Sequence, residues 1–137
     1  MPKAGPEATY GYMRVSDYQA IADNWEKYKG FTVRPLPSTQ AYYGSVVDRF
    51  TSPTDQLMVY GGTPEIRTEL VKASRQATLV DRAPAMIYAM GLLTAGEKLL
   101  HPTERIVVAD WLNMPFDKPF AKAAFGDDAI NMATWDK

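Results

Sequence analysis

The sequence contains no cysteine and a single histidine, His101. Without cysteine the fold cannot depend on disulfides, and a cysteine-ligated zinc site is excluded. One histidine provides neither a histidine cluster for a metal nor an obvious Ser-His pair for nucleophilic catalysis. We therefore predict no metal site. We assign no role to His101, which precedes Pro102 in a segment typical of a loop.

Long apolar runs and an excess of one charge are absent as well. No stretch approaches the ~18 uninterrupted apolar residues of a membrane span, and the N-terminal segment lacks the apolar region of a signal peptide. Lys and Arg number 15 against 16 Asp and Glu, and this balance argues against a nucleic-acid-binding module. These absences predict a cytoplasmic protein without membrane association.

The composition is that of one globular domain with a core, since 46% of the 137 residues are hydrophobic and 23% are charged. Residues 1–50 are predicted to form a loose arm over residues 1–13 and two helices. The first helix begins behind Ser16 as its cap, and the second runs from Ser38 to about Phe50. The apolar stripe of the first helix consists of Tyr18, Ile21, Ala22 and Trp25.

Residues 51–137 alternate between strand and helix patterns. Short apolar runs at 57–60, 77–80 and 105–109 predict buried strands, with a weaker fourth strand near 123–125. Helices are predicted from Pro64 to about Ser74 and from Pro84 through Met90, with an extension to Leu100 left open. This order predicts an α/β fold: a three-layer, Rossmann-like parallel sheet of about four strands, preceded by the N-terminal helices.

Glycine or aspartate follows each predicted strand, and ligands of such sheets bind beyond the carboxyl ends of the strands. Gly61-Gly62 permits close approach of a ligand or simply makes a tight turn. Asp81 lies 20 positions after Gly61, the spacing of a ribose-binding carboxylate, although it could instead cap the next helix. The strand-end set is Gly61, Gly62, Asp81, Asp110 and Asp127.

Asp110-Trp111 follows the third predicted strand. A carboxylate there could accept the exocyclic amine of an adenine while the indole bounds the base. The alternative is a strand-ending aspartate beside a core tryptophan. Neither a P-loop nor a complete G-x-G-x-x-G is present, so a nucleoside without phosphates fits better than a nucleotide.

Four segments, taken together, resemble the motifs of class I S-adenosylmethionine-dependent methyltransferases. Residues 57–67 are similar to the pattern LGxTPELR, and residues 80–87 to VDxSPxMI. Residues 108–116 are similar to xxDWLxLPF, and residues 125–131 to xxGDGxLN. The resemblance covers about residues 14 to 135. It departs from the family where Tyr60 replaces a small or aliphatic residue and Asp128 replaces a glycine.

The resemblance implies a role for most of these residues. Gly61 and Gly62 would lie against the methionyl part of S-adenosylmethionine, Asp81 would hold the ribose hydroxyls, and Asp110 with Trp111 would bracket the adenine. Asp127 would sit near the sulfonium and is the candidate catalytic residue. Tyr18 would belong to a helix covering the cofactor, and Arg34 could pair with the methionyl carboxylate, with helix packing and a surface arginine as the alternatives. Tyr60 and Arg82 complete the implied binding set.

We therefore expect an S-adenosylmethionine-dependent methyltransferase-like protein with a small-molecule acceptor. The alternatives are a non-catalytic module that binds the cofactor or regulates a partner, and an enzyme that cleaves S-adenosylmethionine itself. The family domain has seven strands, whereas four are predicted here. We therefore expect a homo-oligomer or a partner chain that covers the edge of the fourth strand, or a fragment of a longer protein.

Overall fold

A computed structural model describes residues 9–10, 13–28, 34–116 and 120–127. Two short strands, β1 and β2, precede the helices α1 and α2, and strands then alternate with helices as the sequence predicts. The elements are β1 (Thr9–Tyr10), β2 (Met13–Arg14), α1 (Val15–Glu26), α2 (Pro37–Phe50), β3 (Leu57–Tyr60), α3 (Pro64–Lys72), β4 (Ala77–Asp81), α4 (Pro84–Gly91), β5 (Glu104–Val108) and β6 (Ala123–Phe125).

Strands β3 to β6 form one parallel sheet in the order β5-β4-β3-β6. Leu57 lies beside Ala77 on one side and Ala123 on the other, which fixes the register of the three strands. The chain proceeds from β3 through β4 to β5 and then returns to the far side of β3. The direction of the connections therefore reverses between β3 and β6, where α/β sheets open a crevice for ligands.

A hydrophobic core cluster lies on one face of this sheet. Alternate residues of a strand point to the same face, and those of β3, β4 and β6 cluster with side chains of α2, α3 and α4. The buried members of the cluster are Val47, Leu57, Val59, Ile66, Leu70, Ala77, Leu79, Ile87 and Phe125. The predicted α/β class with four parallel strands is confirmed. Met58, Thr78 and Val80, at the alternate positions that point to the opposite face, are buried as well.

The N-terminal helix α1 packs against α4 in a second apolar cluster, with Tyr18, Ala89, Met90 and Leu99 as its buried members. The predicted cap at Ser16 is wrong: the helix begins at Val15, and its N-cap is Arg14, two residues before Ser16. The backbone N–H of Arg14 donates to Asp17 Oδ2 at 3.0 Å. The N-terminal arm, predicted to be loose, contains the strand β1 and the start of β2, and these two strands pair antiparallel.

Helix α4 ends at Gly91, so the extension to Leu100 does not occur. The chain turns after Gly91 and comes back against it. A Cβ atom at Gly91 would overlap the carbonyl oxygens of Lys98 and Leu99. The close return of the chain therefore requires glycine at the end of this helix.

A buried polar cluster fixes the loop between α4 and β5 to helix α3. Arg67 donates from Nε and Nη2 to both carboxylate oxygens of Glu104, each at 2.8 Å, and from Nη1 to the carbonyl of Ile87. Glu104 also accepts the backbone N–H of His101, whose ring is hydrogen-bonded to the Thr94 hydroxyl. His101 is thus a loop residue, as predicted, but it is buried. No helix of the described residues is long and apolar enough to cross a bilayer.

Candidate functional site

A cavity of about 470 Å³ opens at the carboxyl ends of the parallel strands, at the crevice that the strand order predicts. Its size falls within the range of roughly 300–1,000 Å³ that is usual for small-molecule sites. Nine of the ten residues of the predicted binding set line it: Arg34, Tyr60, Gly61, Gly62, Asp81, Arg82, Asp110, Trp111 and Asp127. The strand ends and the loops that follow them therefore converge on one site.

Gly61 provides an open backbone surface in the cavity. Its φ of 95° lies in the left-handed region that favours glycine, and its N–H donates to the carbonyl of Val80 at 2.8 Å. A Cβ atom here would lie 3.5 Å from Trp111 Cζ2 and 3.6 Å from Asp81 Oδ2. The missing side chain therefore leaves a cradle between an indole and a carboxylate.

The Asp81 carboxylate holds the turn after β4. Its Oδ1 accepts the backbone N–H of Ala83 at 3.0 Å. Ala83 is the N-cap residue of α4, and no side chain caps that helix. The alternative role of Asp81 as a helix cap is therefore not realised. Among the described residues no cation pairs with this carboxylate.

Asp110 and Trp111 lie just beyond the end of β5. Asp110 Oδ1 accepts the backbone N–H of Leu112 at 2.9 Å, and its Oδ2 lies 3.8 Å from Nη1 of the exposed Arg82. The Trp111 indole donates to the carbonyl of Val80 at 2.6 Å and meets the Tyr60 ring edge-on, with centroids 6.0 Å apart. Trp111 is half-buried and lines the cavity, unlike a core tryptophan.

Asp127 follows β6 and reaches the cavity from the opposite side of β3. Its Oδ1 accepts the hydroxyl proton of Tyr43 at 2.9 Å, a contact that joins α2 to the end of β6. The partner lies 84 positions earlier in the sequence, so no local pattern could indicate it. The hydrogen bond fixes the orientation of the carboxylate.

Arg34 lines the cavity but is neither a surface residue nor a free cation. It is 5% exposed, and its Nη2 lies 2.5 Å from Glu65 Oε2. Its Nη1 lies 3.3 Å from Glu26 Oε1. Arg34 Nε and Glu65 Oε1 are buried without a hydrogen-bond partner. The sequence did not identify Glu65, because its partner is 31 positions away.

Tyr18 does not line the cavity, in contrast to the prediction. It is 2% exposed, packs between α1 and α4, and meets the Tyr88 ring edge-on at 5.5 Å. Burial, followed by the charges of Tyr88 and Asp17, raises the pKa of its phenol. Trp25, on the same apolar stripe of α1, lines the cavity instead.

The sequence analysis did not assign the other residues that line the cavity. For Trp25, the signal in the sequence was its place in the apolar stripe of the first helix. Met86 and Met90 supply apolar surface to the cavity, although methionine at apolar positions of a helix usually indicates packing in the core. The remaining lining residues are Pro35, Thr63, Pro64, Glu65 and Ala109. The arrangement can hold a ligand with an aromatic part, hydroxyl groups and charge.

Comparisons of the chain with protein-family models, with curated proteins and with solved structures found no match. The function is therefore argued from the chemistry of the cavity.

Proposed function

We propose that the cavity binds S-adenosylmethionine and S-adenosylhomocysteine, and that the chain is a methyltransferase-like protein acting on a small-molecule acceptor. One observation carries the proposal: Gly61, Asp81 and the pair Asp110-Trp111, each at the end of a different parallel strand, line the same cavity. This is the arrangement that a nucleoside needs at the carboxyl edge of an α/β sheet.

The ribose would be held at Asp81. A carboxylate accepts hydrogen bonds from two neighbouring hydroxyls, and Asp81 has oxygen capacity beyond its bond to Ala83. Gly61 supports this placement because its backbone is bare at the position that faces Asp81 Oδ2. The residues present therefore fit the sugar of the cofactor.

The adenine would contact the aromatic and apolar part of the cavity. Tyr60 and Trp111 offer ring surface, and Met86 and Met90 offer thioether surface. Asp110 Oδ2 can accept a hydrogen bond from an exocyclic amine, since Oδ1 is the atom engaged by Leu112.

The methionyl part would lie along Gly61 and Gly62. Arg34 can contribute less than the sequence indicates, because Glu65 and Glu26 engage its terminal nitrogens. Its Nε has no hydrogen-bond partner but is buried, so the two-pronged contact that a free guanidinium makes with a carboxylate is not available.

When bound, the cofactor supplies an electrophilic methyl group on a sulfonium, which is a good leaving group. The chain is then required to orient the acceptor and to exclude water, which needs no histidine or cysteine base. Asp127, oriented by Tyr43, is the candidate residue beside the reacting atoms. Transfer that depends on an acceptor would identify a methyltransferase. Binding without turnover would identify a non-catalytic module, and breakdown without an acceptor would identify an enzyme that cleaves the cofactor.

The experiment is calorimetric titration of the chain with S-adenosylmethionine and S-adenosylhomocysteine, alongside Asp81→Ala. We expect micromolar binding that the substitution weakens at least tenfold, about 1.4 kcal/mol, because the ribose loses its acceptor. Asp48→Ala is the matched control, since Asp48 is an exposed carboxylate of α2 that does not line the cavity. No binding by a folded chain, or equal losses in both variants, would contradict the proposal.

A further inference from the structure

Carboxylates outnumber cations around the cavity. Four acidic side chains line it, against two guanidinium groups, so the lining carries two excess negative charges. The acidic residues are Glu65, Asp81, Asp110 and Asp127, and the basic residues are Arg34 and Arg82. The whole chain has a net charge of only -1, so this excess is local to the cavity.

The two arginines do not neutralise the lining evenly. Arg34 is engaged by Glu65, which lines the cavity, and by Glu26, which does not. Arg82 is well exposed and lies 3.8 Å from Asp110, a separation at which solvent screens the interaction strongly. Neither arginine pairs with Asp81 or Asp127, and no other described cation does. These two carboxylates are the uncompensated charges of the cavity.

Glu65 is a buried acidic residue of the cavity wall. The Glu65 side chain is 8% exposed, and its Oε1 is buried without a hydrogen-bond partner while the residue lines the cavity. A buried carboxylate oxygen without a donor carries a free-energy cost. That oxygen is out of reach of solvent, so Glu65 acts on the cavity through its negative charge.

We propose that this cavity selects a cationic ligand, and therefore binds the sulfonium form of the cofactor more tightly than the neutral thioether product, with Asp127 as the main source of the preference. The inference rests on the proposed function, in which Asp81 is assigned to the ribose. Asp127 is then the uncompensated carboxylate left to face a positive charge, and its Oδ1 contact with Tyr43 holds it in place.

The preference follows from the charge balance of the transfer. The bond from sulfur to the methyl carbon breaks, its electron pair stays on sulfur, and the acceptor bonds the methyl group and gives up a proton. The cofactor thereby loses one positive charge. Because charges attract more strongly in a partly enclosed cavity than in bulk water, the product loses an attraction that the cofactor had. Release of the product is thus assisted.

The test is calorimetric titration of the full chain with both compounds at ionic strengths of about 0.01 M and 0.1 M, where the screening length falls from roughly 30 to 10 Å. We expect the sulfonium compound to bind at least tenfold more tightly at the lower ionic strength, with the ratio falling as salt is added. An analogue with an amine-bearing carbon in place of the sulfonium should share the preference.

Asp127→Asn tests the source of the preference. Asparagine keeps the volume and can still accept the Tyr43 hydroxyl, so the substitution removes charge with little change of shape. We expect the ratio to fall to about fourfold or less, the preference that burial of one methyl group provides by itself. Asp48→Asn, on the exposed face of α2, should leave the ratio unchanged, and thermal melts establish that each variant is folded.

Each negative result of these titrations would overturn a different part of the proposal. Equal affinity for the two compounds, or a ratio that salt does not change, would overturn the charge preference while leaving the proposed function intact. Asp127→Asn weakening both compounds equally would overturn the assignment to Asp127. No binding of either compound by the folded chain would overturn the proposed function, and this inference with it.

Discussion

At the scale of single residues, the cavity depends on a glycine whose backbone conformation other residues adopt only with strain. Gly61 adopts a φ of 95° between Trp111 and Asp81, so it combines a left-handed conformation with an open surface. Gly96 also has a positive φ, of 90°, but it lies near His101 and does not line the cavity. The two glycines thus share a backbone requirement and differ in their relation to the site.

Gly61→Ala is expected to lower the free energy of unfolding by roughly 1–2 kcal/mol, because alanine is strained at this φ. It should also abolish most cofactor binding, since the added methyl group occupies the cradle beside Asp81. Gly96→Ala serves as the control, with a similar loss of stability and unchanged affinity. Urea unfolding and calorimetric titration of both variants measure the two effects. Retention of affinity in Gly61→Ala would show that the cradle is not used.

The sequence indicates the strand-end residues well but not the partners of their neighbours. Asp81 and Asp110 follow adjacent parallel strands, and the carboxyl ends of such strands meet at one edge, so their convergence is predictable. The pairing of Arg34 with Glu65 depends on tertiary contacts across 31 positions. Likewise, Tyr18 and Trp25 share one helical stripe, and only the packing of α1 on α4 decides which of them reaches the cavity.

At the scale of elements, the segment between α4 and β5 is held by buried polar contacts. Arg67 of α3 binds Glu104 of β5 with both groups inaccessible to solvent, and His101 joins the same cluster. Breaking such a buried pair is costly, since the remaining charge would be left without a partner. The sequence does not predict this cluster, because the charged residues around Arg67 are typical of a helix exposed to solvent. The end of α4 at Gly91 is hidden for the same reason: it is set by a distant return of the chain.

Burial lowers the pKa of His101 below its ordinary 6.5, although Glu104 acts in the opposite direction and Arg67 and Lys98 act in the same one. The folded chain therefore keeps the ring neutral where the unfolded chain protonates it. The stability that depends on this difference is complete above pH 6.5 and is lost as the pH falls below that value, by up to about 1.4 kcal/mol per pH unit.

Urea unfolding at about pH 7.5 and about pH 5.5 measures this dependence. His101→Gln, which cannot take up the proton, should lose less stability between the two conditions than the unsubstituted chain. An identical pH dependence in the two proteins would contradict the account of the buried ring.

At the scale of the whole molecule, the sheet has two outer strands, and the shorter one borders the crevice. In the described residues β6 pairs with β3 on one side and is last in the strand order. The alternation of strands and helices makes the parallel pairing predictable, whereas the return of the chain from β5 to the far side of β3 does not follow from it.

Because an outer strand offers its backbone groups to other chains, we predict self-association along β6. Static light scattering of the purified chain should give a molar mass that is a multiple of 15.3 kDa. Ala123→Pro should lower that mass. The N–H of Lys122 donates to the carbonyl of Gln56, just before β3, so by alternation the N–H of Ala123 faces the outer edge, and proline removes it. A stable monomer over the whole concentration range would contradict the prediction.

If the cavity at the carboxyl ends of β3, β4 and β5 is the cofactor site, a crystal structure of the chain grown with excess S-adenosylhomocysteine will show the ligand there. We expect its ribose hydroxyls within hydrogen-bond distance of Asp81 and its sugar against Gly61. A ligand bound elsewhere on the chain, or a ribose turned away from Asp81, would contradict this expectation.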